Sequence, residues 1–259
     1  MKTKFSWIFY CLVSLLLSQS LSAAERFVTN ESNGFVWIQQ GKAYPILVDS
    51  REDKGVVRAV ANLQTDAGKV TGITPEIIHS VAGNRMLIIG SIENSSWIKQ
   101  LLKAGKINAA DLQGKREKYI LQMVKQPMEG VDEAVVIAGS DKRGTIYGIY
   151  ELSQQMGVSP WYFWADVPVE KHDIISIKEG IYTDGEPAVK YRGIFLNDEW
   201  PCLGNWAGDT FGGFNSKFYE TVFELVLRLK GNFMWPAMWN SAFYDDDPMN
   251  GPLADEMGI

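Results

Sequence analysis

The chain has 259 residues and carries 25 lysines and arginines against 31 aspartates and glutamates, a net charge of −6 at pH 7. An acidic chain without a basic run is not expected to bind nucleic acid. Two cysteines and two histidines, His79 and His172, argue against a disulfide framework, a structural zinc ion and catalysis by histidine within this stretch, and no motif predicts a cofactor.

Residues 1–24 predict a secretory signal peptide. Lys2 and Lys4 form its charged start, Phe5–Leu17 its apolar core, and Ser22–Ala24 offer small residues for cleavage. The core is short for a membrane span and no later segment suits one, so an uncleaved anchor is disfavoured. Cleavage removes two lysines and leaves 23 basic and 31 acidic residues, a net charge of −8. We therefore expect a secreted or periplasmic protein.

Residues 25–182 predict one N-terminal α/β domain of ordinary size. The near-continuous apolar run Ala134–Ala138 suits the centre of a sheet. The first two strands are expected to form a hairpin with its turn at 40–42. Strands are predicted at Phe35–Ile38, Pro45–Val48, Glu76–His79, Met86–Gly90, Tyr119–Val124 and Ala134–Ala138, and helices at Glu52–Thr65, Ser96–Ala104 and Asp141–Met156.

The loop from Gly139 to Gly144 follows a strand and opens a helix, as a phosphate-binding loop would. Such a loop needs Lys and then Ser or Thr after its last glycine, where this chain has Thr145 and Ile146. Ser140 as the N-cap, with an acid in the first turn, explains the loop better. Arg143 is predicted to be a solvated helix end, with contact to an acidic sugar as the alternative.

The aromatic run Trp161–Trp164 closes this domain. We favour a packing surface between domains over a sugar platform. Residues 183–187, rich in turn formers and without an apolar side chain, predict the linker to a second domain at 188–259.

The second domain predicts a strand, a long glycine-rich loop, a helix and another strand. The strands are Tyr191–Leu196 and Asn232–Trp235, and the helix begins near Asn215 or Ser216. One face of the helix is apolar at helical spacing, and Glu224 and Arg228 are spaced as an i,i+4 ion pair. Gly231 is predicted to end the helix. The apolar face consists of Phe218, Val222, Leu225 and Leu229.

Polar side chains follow the carboxyl ends of both strands, where enzymes of parallel α/β folds keep their chemistry. Asn197, Asp198 and Glu199 come after the first strand, and Trp239 comes after the second. Residues 191–244 also hold 14 of the 31 aromatic residues, more than twice an even share. Flat rings beside carboxylates and amides predict a sugar ligand.

Three features of this domain allow more than one interpretation. Asp245–Asp247 are interpreted as a solvated loop, with helix capping or a site role as alternatives. Trp235 is expected to pack in the barrel wall. Trp239 is expected to stack on sugar. Phe211–Phe214 predicts a structural turn rather than a contact.

The segments RGIFLNDEWP, FGGFNSKFY, LRLKGNFMWPAMW and FYDDDP resemble glycoside hydrolase family 115, the xylan α-glucuronidases. Upstream, residues 139–169 resemble the end of that family's N-terminal domain, and the resemblance covers roughly residues 30–259. It implies a small N-terminal α/β sandwich domain followed by the first units of a (β/α)8 TIM barrel. Because a complete barrel needs ~200 residues or more, we expect the front of a longer protein or a truncated reading frame.

The resemblance also implies the release of glucuronic acid or its 4-O-methyl ether from xylan by an inverting mechanism. It implies substrate binding by Asn197, Asp198, Glu199 and Trp239, with the general acid and base beyond Ile259. Asp198 is expected to bind sugar hydroxyls or tune a neighbour, not to donate the proton. Xylan or glucuronoxylan oligosaccharides are the expected partners, and a homodimer stays open for the full-length protein.

Two other function classes remain at this stage. One is a non-catalytic carbohydrate-binding or scaffold protein, and the other is a different TIM-barrel glycosidase such as a β-N-acetylhexosaminidase. Turnover of aldouronic oligosaccharides separates the second from an α-glucuronidase, and binding without turnover indicates the first.

Overall fold

The computed structural model describes residues 26–197 and 199–259, without the side chain of Glu199. The predicted signal peptide and Asp198 lie outside the described residues. No helix in the described part is long and apolar enough to cross a membrane. The described strands are β1 Val28–Thr29, β2 Phe35–Gln39, β3 Lys42–Ala43, β4 Ile46–Val48, β5 Ile77–Ile78, β6 Arg85–Ser91, β7 Tyr119–Met128, β8 Val131–Gly139, β9 Ile174–Ile177, β10 Ile181–Tyr182, β11 Gly193–Phe195 and β12 Phe233–Trp235.

Seven α-helices complete the described elements, together with a short 3-10 helix at Ala109–Asp111 and an irregular helical turn at Glu199–Leu203. The helices are α1 Lys54–Thr71, α2 Ser96–Lys103, α3 Lys142–Gln155, α4 Gly204–Phe211, α5 Ser216–Arg228, α6 Phe243–Asp246 and α7 Asn250–Met257. The chain is thus a mixed α/β protein, as the sequence predicts. The closed barrel and its truncation stay predictions.

A six-stranded sheet forms the core of the N-terminal region, residues 26–182. Its order is β10-β7-β8-β6-β4-β5, in which β5, β4, β6 and β8 run parallel and β7 and β10 add an antiparallel side. Alternate strand residues enter two separate apolar clusters. Residues of α1 and α3 pack on one face and residues of α2 on the other, so both faces are covered. The central place of β8 confirms the prediction for its apolar run.

The predicted first hairpin is half wrong. β2 does turn back at Gln40 and Gly41, both with positive φ, 51° and 78°, which suits a tight hairpin. Its partner, however, is β3, and β4 leaves to pair parallel with β5 and β6. All three residues of β4 are buried, so the strand fits the interior of the six-stranded sheet and not a half-exposed hairpin. β2 and β3 instead join β9 and β1 in a four-stranded sheet.

Two helix boundaries in this region also differ from the prediction. α1 begins later, after the cap Asp53, and continues to Gly72, because Ala67 and Val70 extend its buried face. The N-cap of α3 is Asp141, whose carboxylate accepts a 2.7 Å hydrogen bond from the Gly144 N–H. Ser140 does not cap α3, since its backbone and hydroxyl both bond to Lys118.

The C-terminal region, residues 188–259, contains the predicted strand–helix–strand unit. β11 and β12 run parallel, and α5 connects them through the sequence. The predicted long loop between β11 and α5 contains a helix, α4, in which Ala207 is fully buried. Trp206 and Phe211 of α4 contact each other at 5.5 Å between ring centroids. Gly204 and Gly208 within the helix and Gly212 at its end hid it from sequence reasoning.

The predicted start and ion pair of α5 are confirmed, but its end differs. Asn215 is the cap, and Glu224 accepts from Arg228 at 2.7 Å. Leu229 is largely exposed and so does not lie on the buried face. The left-handed position after the helix is Lys230, with φ 59°. Gly231 is required for space instead, since a Cβ there would lie 2.7 Å from Val226.

The two regions pack directly against each other. α5 contacts α3, and α7 contacts both α5 and α1. Trp164 donates to the Thr221 carbonyl at 3.2 Å, and the Tyr162 hydroxyl donates to Glu224 at 3.0 Å. These contacts confirm the predicted packing between regions for Tyr162 and Trp164, whereas Trp161 and Phe163 are exposed, at 44% and 41%. The predicted linker is itself held in place, because Arg116 donates to the Pro187 carbonyl at 2.8 Å.

Candidate functional site

An exposed aromatic surface covers one face of the two-stranded sheet. Phe195 and Trp235 are direct partners across β11 and β12, with ring centroids 5.1 Å apart, and both are about half exposed. Ile194 and Met234, one residue earlier in each strand, turn to the opposite face and join the main apolar core with α5. Since strand side chains alternate between faces, the rings lie on the side away from the helix.

The predicted site residues follow directly from this surface. Asn197 lies past the end of β11 and Trp239 past the end of β12, and both side chains are exposed. Because the strands are parallel and in register, their carboxyl ends meet at one edge. The structure therefore brings these two residues to the same edge. Asp198 and the side chain of Glu199 lie outside what the structure describes.

Trp235 is 52% exposed, and its packing in a barrel wall stays a prediction, because the described C-terminal sheet consists of two strands. The buried position belongs to Met234, the register partner of Ile194, and the strand period of two turns Trp235 outward. Sequence reasoning missed Phe195 as part of this surface. Strict alternation along Gly193–Phe195 and Phe233–Trp235 is the signal that could have found both rings.

The opposite, amino ends of the same strands rest on a buried carboxylate of the N-terminal region. The Glu117 side chain is 1% exposed. It accepts from Arg192, just before β11, at 2.6 Å, from Asn232, just before β12, at 2.7 Å, and from Arg143 of α3 at 2.7 Å. A buried carboxylate is tolerated only when fully paired. Glu117 thus joins both strand starts to the N-terminal region.

Arg143 is therefore not a solvated helix end. Besides Glu117, it donates to the Gly258 carbonyl at 3.2 Å, while Lys142 donates to the Asp255 carbonyl at 2.9 Å. Cations at the last carbonyls of α7 complement the helix dipole. The solvated-end prediction failed because it ignored a segment more than 100 residues away in sequence.

A tyrosine and a third arginine add buried polar contacts between the two regions. The Tyr147 hydroxyl donates to the Gly231 carbonyl at 2.9 Å, and burial raises the pKa of Tyr147, so it stays protonated. Arg228 is nearly fully buried and bonds Asp66 at 2.8 Å and Glu224 at 2.7 Å. The base of the strand–helix–strand unit is therefore held by charge-assisted bonds to the N-terminal region.

Comparison with known proteins agrees with this geometry. The family model described as glycosyl hydrolase family 115 matches residues 184–259, and that described as glycosyl hydrolase family 67 N-terminus matches residues 38–152. A solved structure described as a family GH115 4-O-methyl-α-glucuronidase, BtGH115A, with specificity for decorated arabinogalactans, is 33% identical with a TM-score of 0.75. The match covers 87% of this chain and 29% of that chain. The chain belongs to glycoside hydrolase family 115.

More distant structures resemble this family 115 chain only weakly. Streptomyces plicatus β-hexosaminidase is 13% identical, with a TM-score of 0.45 over 78% of this chain and 31% of that one. Flavobacterium johnsoniae chitobiase is 11% identical, with a TM-score of 0.48 over 90% of this chain and 32% of that one. No curated protein sequence matches the chain.

The acidic run Asp245–Asp247 of the family 115 chain is mainly structural. Asp247 accepts from the Ser216 N–H at 2.8 Å and from the Met249 N–H at 2.9 Å, so it caps the start of α5 from outside. Hydrogen bonds from Ser216 and Met249 lower the pKa of Asp247. Asp246 accepts from the Ala242 N–H at 2.8 Å. The solvated-loop interpretation is wrong for these two residues. The alternative is a cap on the next helix, but the helix that Asp247 caps, α5, precedes it, and the N-cap of the following helix α7 is Met249, without a side-chain hydrogen bond.

The loop 139–144 does not form a phosphate site. The Gly144 N–H donates to Asp141 at 2.7 Å, and the other carboxylate oxygen of Asp141 accepts from the Glu117 N–H at 2.7 Å. The Asp141 carboxylate thus stands where an anion would bind.

The carboxylate of Asp49, directly after β4, likewise accepts hydrogen bonds from neighbouring residues. Burial alone would raise the pKa of Asp49, but hydrogen bonds from Arg51 and Ser96 outweigh it and lower that pKa.

Both histidines contact groups of the N-terminal region. His79 Nδ1 lies 3.0 Å from the Val48 carbonyl, and His172 Nε2 lies 3.3 Å from Asn30. Within residues 26–197 and 199–259, no group of three or more His, Cys, Asp or Glu side chains is placed to hold a metal ion. Cys202 is exposed and free.

Proposed function

We propose that this chain is the N-terminal portion of a secreted glycoside hydrolase that removes glucuronic acid or 4-O-methylglucuronic acid from xylan by inversion. The observation that carries the proposal is the aromatic surface of Phe195 and Trp235, with Asn197 and Trp239 at its carboxyl edge. It lies within the segment that matches the family 115 model.

The side chains of this edge suit a sugar with apolar ring faces and polar rims. Half-exposed rings supply flat apolar contacts, and the amide of Asn197 can donate to and accept from hydroxyls. Asp198 and Glu199 follow Asn197 in sequence, and we assign Asp198 to binding substrate hydroxyls or tuning a neighbouring group.

Inversion needs a second carboxyl group, placed far enough from the first to admit a water molecule. Asp246 and Asp247 already accept backbone bonds, which makes them poor candidates for the acid or base. The chain spans 29% of the length of the similar glucuronidase. We therefore propose that the general acid and base follow Ile259 in the full-length protein. Residues 183–187 are proposed as the linker between the two domains.

The polymer that carries the uronic acid is the least constrained part of the proposal. The similar glucuronidase is described as specific for decorated arabinogalactans. Xylan is proposed here because the sequence segments resemble the xylan α-glucuronidases. Parallel assays of the full-length protein on glucuronoxylan and on uronic-acid-decorated arabinogalactan would identify the backbone.

The decisive assay measures uronic acid release by the full-length protein and follows the anomer by NMR. Inversion of an α linkage predicts the β anomer as the first product. Asp198→Ala should lower kcat/KM by about 10²-fold or more without unfolding, because a preorganised polar contact to the transition state is lost. Asp245→Ala, at an exposed acid of α6, is the matched control and should stay near wild type. Near-normal turnover by Asp198→Ala would remove the proposed role.

Secretion is tested by the N-terminus of the protein recovered from its native host. Cleavage after Ala24 would leave Glu25 as the first residue. Recovery of protein that begins at Met1 would contradict the signal peptide.

A further inference from the structure

A groove of about 550 Å³ lies on the N-terminal region, at the hairpin formed by β2 and β3. Its volume falls in the range of small-ligand sites. It belongs to the four-stranded sheet and not to the strands β11 and β12 that carry the proposed active site. The lining residues used below are Gln39, Gln40, Lys42, Ala43, Tyr44 and Arg85.

One wall of the groove is rigid and partly aromatic. The Trp37 indole N–H donates to the Tyr44 carbonyl at 2.9 Å and holds the backbone after β3. The Arg85 guanidinium carbon lies 5.1 Å from the Tyr44 ring centroid and 4.9 Å from that of Phe35. Stacked guanidinium and aromatic groups are mutually preorganised. The wall therefore offers a ring and fixed N–H donors together.

Cationic and amide donors dominate the polar part of the groove. Arg85 is paired with Glu133, but a guanidinium has five N–H donors and this pair does not use them all. Lys42 is exposed and has no ion pair among the described residues. Gln39 and Gln40 add amide groups. None of the lining residues is acidic, although acids outnumber bases in the chain.

We propose that this groove is a second glycan site, which binds a uronic-acid-bearing oligosaccharide without cleaving it. The sugar carboxylate pairs with Lys42 and Arg85, and the ring packs against Tyr44 and Ala43. A neutral glycan would leave the ammonium group of Lys42 unused, and a simple anion would leave the aromatic wall unused. The choice of a uronic-acid-bearing glycan rests on the proposed function, because the groove and the proposed active site would bind the same polymer.

The test is a calorimetric titration of the 259-residue chain with 4-O-methylglucuronosyl-xylotriose and, separately, with xylotetraose. The acidic sugar should bind about tenfold tighter or more, since charge-assisted bonds are added. Lys42→Glu should weaken its binding at the groove by at least about tenfold. Gln40→Gly should weaken it by about threefold and should fold normally, because Gln40 has the left-handed φ of 51° that glycine prefers.

Lys103→Glu is the matched control, since Lys103 is an exposed lysine outside the groove and has no ion pair in the described part of the chain. It makes the same charge change and should leave affinity unaltered. Equal loss in both lysine variants would reduce the effect to net charge and overturn the proposal. Binding that is unchanged in Lys42→Glu would overturn it as well.

A Trp239→Ala background separates this inference from the proposed function. The acidic sugar should still bind that variant, and adding Lys42→Glu should abolish the remaining binding. A single binding event that Trp239→Ala removes and Lys42→Glu spares would overturn the groove site and leave the proposed function standing. Groove binding without uronic acid release by the full-length protein would support the groove and contradict the proposed function.

Discussion

The two sheets of this chain differ in how they use their faces. β8 and β6 in the N-terminal region are buried on both sides, and residues such as Ile137 and Leu87 are fully inaccessible. β11 and β12 bury Met234 and partly bury Ile194, and they expose Phe195 and Trp235 on the other side. Burial on both faces gives stability, whereas an open aromatic face is available for contacts.

The difference continues in the side chains that each region leaves exposed at its strand ends. In the N-terminal region, Asp49, Asp53 and Asp141 accept backbone N–H groups and secure loops or helix starts. In the C-terminal region, Asn197 and Trp239 stand exposed at the strand ends. The N-terminal region thus supplies rigidity, and its Glu117 holds the strands whose other ends carry the proposed site.

Breaking the link between the two regions should have the largest effect. Glu117→Ala should lower the free energy of unfolding by about 3–5 kcal/mol, because Arg143 and Arg192 lose their buried partner. Chemical denaturation measures this directly. Glu129→Ala, an exposed acid after β7, should change stability by less than about 0.5 kcal/mol. Equal, small effects for both would mean that the regions do not depend on this carboxylate.

The contrast between closed and open faces predicts effects of different size. Ile137→Ala should cost about 2–5 kcal/mol, since it leaves a cavity in a packed sheet. Ile181→Ala, at an isoleucine that is 64% exposed, is the matched control and should cost less than about 1 kcal/mol. Trp235→Ala should also cost little stability but should weaken glycan binding by about tenfold or more. A large stability loss at Trp235 would contradict an available surface.

The smallest effect concerns Asp247, which accepts a hydrogen bond from the first residue of α5, Ser216. The pKa of Asp247 is lowered in the folded chain, so its contribution is present above the unfolded value of 3.8 and is lost as the pH falls through the folded value. Asp247→Asn should therefore lower the melting temperature near pH 7, and this difference should shrink as the pH falls below 3.8. Asp245→Asn, which lacks the two backbone bonds, should show no such pH dependence. A constant gap across this range would exclude the carboxylate as the cause.

Local sequence patterns determined much of this molecule. Apolar periods of two and 3.6 residues identified most strands and helices, and Asn215 and the Glu224–Arg228 pair follow from capping and i,i+4 geometry. The order strand, helix, strand also indicated that Asn197 and Trp239 share an edge. Apart from the shared edge, which follows from the order of the elements, each of these features depends on neighbours within about one or two helical turns, which a sequence displays directly.

Only the tertiary structure decided the features that join distant segments. β4 pairs with β5 and β6 in the sheet interior, where all its residues are buried. α4 is a helix where its glycines suggested a loop. Trp235 faces outward because its neighbour Met234 occupies the core. Glu117 meets Asn232 across 115 positions, and Asp247 caps a helix that starts 31 positions earlier. In the unfolded chain these groups bond to water, and each pair forms only because packing brings its two members together. A local sequence pattern does not show which distant segments pack together.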